Sequence, residues 1–161
     1  MVVDPSNKED CLDPNGPFRV HGGGQVTLKA GERFRLPLFA NRNGAAIEYV
    51  WTVTKRPSAS RAAIEAPQGV VTQSNRWLYT YAQSAAPTFT ADVDGEYALQ
   101  LQATLVFADR VYPDNRASTS SLSMHALEGA GASCSSVPLD ASALLLGLGG
   151  VALIFSRRRT S

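Results

Sequence analysis

Residues 47–54 read Ile47-Glu48-Tyr49-Val50-Trp51-Thr52-Val53-Thr54. Ile47, Tyr49, Trp51 and Val53 fall on one side of an extended chain, while Glu48, Thr52 and Thr54 fall on the other. Successive side chains of a strand point to opposite faces, so this alternation predicts a strand with one face in a core. Aromatic and β-branched residues suit such a half-buried pleated surface. Trp51 is the largest candidate for the core beneath it.

The same period of two extends in both directions. Val26 and Leu28 alternate with polar neighbours, Ala30-Gly31-Glu32 is a turn, and Phe34, Leu36 and Leu38 alternate again. Downstream, Trp77, Tyr79 and Tyr81 share one face of a further candidate strand. Tyr97, Leu99, Leu101 and Ala103 line another, which Leu105–Ala108 continues after a bulge; Leu122, Met124 and Ala126 mark the last. The nearest approach to a helical period is Arg61–Ala66, which is short and runs into Pro67. About seven short strands in about 105 residues predict an all-β fold, a two-sheet antiparallel sandwich. The expected organisation is a leader over 1–24, broken by Pro5, Pro14, Pro17 and Gly22-Gly23-Gly24, then the sandwich over 25–127. A Gly/Ala/Ser linker with Cys134 (128–138), a transmembrane helix (139–156) and a basic tail (157–161) follow.

Tyr49-Val50-Trp51, Arg56-Pro57-Ser58-Ala59-Ser60, and the run from Pro87 through Asp92-Val93-Asp94-Gly95-Glu96-Tyr97 resemble a PKD-like domain, an Ig-like sandwich of cell-surface and secreted proteins. The resemblance covers about residues 25–127 and implies an Ig/PKD-like antiparallel β-sandwich. It makes Trp51 the buried strand tryptophan. It also makes Asp94-Gly95 a tight turn before the strand carrying Tyr97, in the manner of a tyrosine corner. The chain carries Arg-Pro-Ser-Ala-Ser where the commonest PKD version has Gly-Asp-Gly.

The C-terminal stretch has a different logic. Leu139–Phe155 is apolar apart from Asp140 and Ser142, and Arg157-Arg158-Arg159 follows after Ser156. About 17 helical residues at about 1.5 Å each span about 26 Å, the short end of what a bilayer core requires. Asp140 stands in the headgroup layer and the arginines snorkel at the other end. Arginine is costly at the membrane centre and positive charge stays on the cytoplasmic flank, so Arg157, Arg158 and Arg159 are expected to stop transfer and set orientation. The residues before Leu139 then face the exterior. Cys134 in its Gly-Ala-Ser context, the apolar segment and the terminal arginines resemble the myxobacterial type of C-terminal sorting signal, with Pro138 and Asp140 at the helix start as departures. That resemblance implies a sorting protease acting near Cys134, with the cysteine as processing or lipid-attachment residue. A disulfide between Cys134 and Cys11, the two cysteines of the chain, stays open.

Composition excludes other classes. The net charge is +1, which leaves no nucleic-acid footprint. Two cysteines make no zinc site. Asp92, Asp94 and Asp109 are weak calcium candidates, because calcium takes six to eight oxygens and Asp-x-Asp-Gly lacks the rest of an EF-hand loop. A structural turn explains the pattern better, and no metal or cofactor is expected. His21 and His125 stand in no Ser/His/Asp or Cys/His pattern, so no catalytic residue is expected. Trp77, Tyr79, Tyr81 and Tyr112 form either core or an aromatic platform for sugar or peptide. Tyr112–Arg116 is expected to be an exposed loop of the kind that carries recognition.

The sequence therefore predicts a non-enzymatic cell-surface module, exported and membrane-anchored, serving adhesion, spacing or protein or carbohydrate interaction. Met1–Asp10 lacks a basic n-region followed by an apolar run, so export implies a signal further upstream. The alternative is a C-terminal accessory domain of a secreted hydrolase whose catalytic part lies upstream. A cytosolic domain with a tail anchor is a third reading.

Overall fold

The computed structural model describes residues 12–74, 81 and 86–129. Cys11, Trp77, Tyr79, Cys134, the apolar segment 139–156 and Arg157–Arg159 lie outside the described residues. Ten strands are described: β1 (Val20–His21), β2 (Gly24–Lys29), β3 (Arg33–Arg35), β4 (Phe39–Ala40), β5 (Ile47–Lys55), β6 (Ile64–Glu65), β7 (Gln68–Val71), β8 (Thr88–Thr90), β9 (Gly95–Leu105) and β10 (Ala117–Leu127). They form a five-stranded sheet in the order β2-β10-β9-β5-β7, a three-stranded sheet β3-β8-β6 and a two-stranded ribbon β1-β4.

Strand β5 is the alternating stretch read from sequence. Ile47, Tyr49 and Trp51 are buried, and Glu48, Val50 and Thr52 are exposed. Its neighbour β9 buries Tyr97, Leu99, Leu101, Ala103 and Leu105 on the same face. The three-stranded sheet contributes Phe34 and Phe89, which join one core with Trp51, Leu99 and Leu122. Phe89 and Tyr97 meet edge to face across the two sheets, with ring centroids 5.3 Å apart. This is an all-β sandwich.

The structure departs from the sequence expectation in four places. The first is the leader. Leu12, Phe18 and Val20 are buried, β1 lies at Val20–His21, and β2 begins at Gly24, so residues 12–24 belong to the folded body. The second is β10, which starts at Ala117 and not near Leu122. At Ser118 and Ser120 the inward positions carry hydroxyls, which accept the backbone N–H groups of Val20 (3.1 Å) and Gly22 (2.9 Å). A hydrophobic period cannot reveal such a strand, because both of its faces are polar there. The third is β2, which pairs parallel with β10. The sandwich is therefore not purely antiparallel. β2 lies near the start of the fold and β10 is its last strand, and a parallel neighbour needs only a long connection, which the intervening strands supply. The fourth is the bulge. It lies in β5 between Val53 and Lys55, opposite Ala98, whereas β9 ends cleanly at Leu105.

Candidate functional site

At one end of β9 a polar clamp forms around Asp92. Its carboxylate accepts the Ser60 hydroxyl and the backbone N–H of Arg61 at 2.6 Å. These donors, Ser60 first, hold the Asp92 carboxyl down to about 2. The Tyr97 hydroxyl, 2.9 Å from the carbonyl oxygen of Val93 and 3.1 Å from Asp92, shares its single proton between them. Asp94 is exposed in the turn between β8 and β9. Gly95 follows at φ +125°, and a Cβ there would stand 2.9 Å from Pro57 Cγ. Only glycine suits that backbone. The clamp ties the β5–β6 connection to the β8–β9 turn, which is a structural task.

At the other end of β9 a second clamp forms around Asp109. One carboxylate oxygen pairs with the Arg42 guanidinium, and the other accepts the N–H groups of Val111 (2.8 Å) and Tyr112 (3.0 Å). Arg42 first, then these amides, hold the Asp109 carboxyl down to about 2. Arg42 also donates to the carbonyl oxygens of Pro14 (3.1 Å) and Gly16 (2.7 Å). Asn41 donates to the carbonyls of Asp13 and Pro17 and accepts the Arg19 N–H. The Tyr112 hydroxyl donates to the Asn15 carbonyl. The β9–β10 loop is thereby held to residues 13–17, while Phe107 (77%) and Val111 (74%) stand exposed on it.

Strand β9, 11 residues long, separates Asp92 from Asp109 by about 35 Å of strand. The three aspartates do not converge, and Asp92 and Asp109 are each held by three protein donors. Among the described residues no three His, Cys, Asp or Glu side chains come together. Tyr81 is buried and donates to the Leu36 carbonyl at 2.8 Å, with its ring edge-on to Tyr49. It belongs to the core, not to a surface platform. The His21 ring accepts the Gly23 N–H through Nδ1. His125 pairs with Glu96 on the sheet surface.

That surface is what the sequence reading missed. The five strands present their outward side chains in register. Val50, Gln102 and Thr119 make one row across β5, β9 and β10, and Thr52, Gln100 and Ser121 make the next. Both rows are exposed and uncharged. Charge appears toward the rim, as Glu48 at one end and Lys55, Glu96 and His125 at the other. A groove of about 240 Å³ at the His125 end is lined by Gln25, Thr27, Glu96, Ser123 and His125 among others. The only signal in the sequence was the polar half of each alternation, which an analysis aimed at the core passes over.

No protein-family model and no curated protein matches the chain. Among solved structures it is similar to the PKD domain of human KIAA0319, at 10% sequence identity over 71% of this chain and 84% of that one, with a TM-score of 0.45. It is also similar to an ASH/PapD-like domain of human CEP192, at 14% identity over 72% and 89% of the two chains, with a TM-score of 0.39. A third likeness is to the third ScaB cohesin of R. flavefaciens, solved in complex with a group 1 dockerin. There the identity is 11% over 70% and 98%, and the TM-score 0.40. The sandwich assignment rests on this chain's own strands and registers.

Proposed function

We propose that this chain is a non-catalytic interaction module, held at the cell surface by its C-terminal segment and acting in adhesion or spacing through contact with protein or carbohydrate. The observation that carries the reading is the outward face of the five-stranded sheet. It is broad and lined with hydroxyl and amide groups, with charge confined to its rim. It shares with protein interfaces the depletion of charge at the centre, and Val50 and Val70 add exposed apolar surface. The described carboxylates that are strongly perturbed, Asp92 and Asp109, are consumed by structural hydrogen bonds. The apolar run Leu139–Phe155 and the arginines after it support the anchor.

Expression of the chain with and without residues 134–161, followed by membrane fractionation and protease treatment of intact cells, tests the anchor. The full chain is expected in the membrane fraction with its sandwich accessible to external protease, and the shortened chain is expected to be released. A shortened chain that stays with the membrane, or a full chain protected from protease, overturns this reading.

A further inference from the structure

We propose that the outward face of the five-stranded sheet pairs with the same face of a second copy of this chain, with the ends of the strands exchanged. The proposal deepens the reading above, since it names the partner of the interaction module.

Three observations meet on this face. The first is size. The five strands are 6, 11, 11, 9 and 4 residues long, and at about 3.3 Å per residue and about 4.8 Å spacing they offer about 650 Å². Stable interfaces bury about 600–1,000 Å² on each partner, and the face falls within that range. The second is self-complementarity. A two-fold contact sets a patch against itself, so a patch of one charge repels its own copy. The central rows here carry Val50, Gln102, Thr119, Thr52, Gln100 and Ser121. Amides and hydroxyls each donate and accept, so every polar member finds a partner in its own kind. The third is the charge at the two ends of β5. Glu48 and Lys55 are both exposed, one at each end of the strand. An axis lying in the face and crossing the strands near Thr52 exchanges those ends. Glu48 of each copy then meets Lys55 of the other, twice by symmetry. An axis running along β5 instead sets Glu48 against Glu48, and one along the central strand β9 sets Glu96 against Glu96, so like charges disfavour both.

The test is sedimentation of the full chain in density-matched detergent. The wild type is expected to dimerise. Glu48→Lys, which sets cations together at both ends, is expected to weaken the dimer about tenfold. Gln100→Arg, beside the axis, is expected to do the same. The double variant Glu48→Lys with Lys55→Glu restores opposite charges and is expected to recover the wild-type dissociation constant. All three positions are exposed, so the fold is kept. A wild type that stays monomeric up to about 0.1 mM overturns the proposal. So does a dimer indifferent to Glu48→Lys, which is how a dimer held by residues 139–156 behaves, and so does a double variant that fails to recover. A monomeric wild type leaves the fractionation result untouched, and a failed fractionation leaves the dimer untouched, so the two readings fail separately.

Discussion

The Tyr97 hydroxyl lies 2.9 Å from the carbonyl oxygen of Val93, four residues back along the chain, and donates to it. The same hydroxyl is 3.1 Å from the Asp92 carboxylate and receives the Val93 N–H at 3.4 Å. Its ring is buried against Phe89. One side chain thus closes the β8–β9 turn from above while it packs the two sheets together below. Tyr97→Phe keeps the ring and removes the hydroxyl, leaving a half-buried carbonyl less well paired. The expected loss is about 1–3 kcal/mol of unfolding free energy, read from urea melts with an unchanged m-value.

Acid should act through the two clamps. The carboxyls of Asp92 and Asp109 are lowered from 3.8 to about 2 in the folded state. A depressed carboxyl binds fewer protons when folded, so its stabilisation is full above pH 3.8 and is lost as pH falls toward about 2. Melting temperature is therefore expected to drop across that window. Asp92→Asn and Asp109→Asn are each expected to lower stability near neutrality and to flatten the acid limb. A limb of unchanged steepness in both variants contradicts the assignment.

Gly22 is required for contact, not for backbone freedom. A Cβ at this position would stand 2.9 Å from Trp51 Cη2 and 3.5 Å from the Ser120 hydroxyl oxygen that accepts the Gly22 N–H. Gly22→Ala is expected to cost about 1–3 kcal/mol by overpacking. Trp51→Phe makes room, so the cost of Gly22→Ala on that background is expected to shrink in a double-mutant cycle. Additive losses would show that the two side chains do not press on each other.

Arg42 should hold the N-terminal segment to the body. It pairs with Asp109 and donates to the carbonyls of Pro14 and Gly16. Arg42→Met keeps the apolar stem and removes every donor. Amide exchange at residues 13–19 and at Val111 and Tyr112 is expected to accelerate, while β5 and β9 stay protected. Exchange that rises uniformly across the sheets would mean that the residue supports the whole fold instead.

The legible part of this protein was its core. Ile47, Tyr49, Trp51, Tyr97, Leu99, Leu101, Leu122 and Met124 were read from the period of two, and all are buried. The turn at Asp94-Gly95 was read from residue types and is where β9 begins. The short strands β6, β7 and β8 leave no legible period. Two to four residues carry too little alternation, and Gly69 and Pro67 look like loop.

Alternating hydrophobicity, being a local property, was enough by itself to determine that the chain forms strands, which side chains turn inward, and that a sandwich results. Tertiary structure alone decided the rest. It determined that residues 12–24 join the core, that Ser118 and Ser120 serve the backbone of β1 and Gly22, and that Asp92 and Asp109 stand at opposite ends of one strand. It also set Glu48 and Lys55 at the two ends of an uncharged face. Each of these depends on which strands become neighbours, and pairing brings together residues up to 98 positions apart, a distance over which no local pattern carries information.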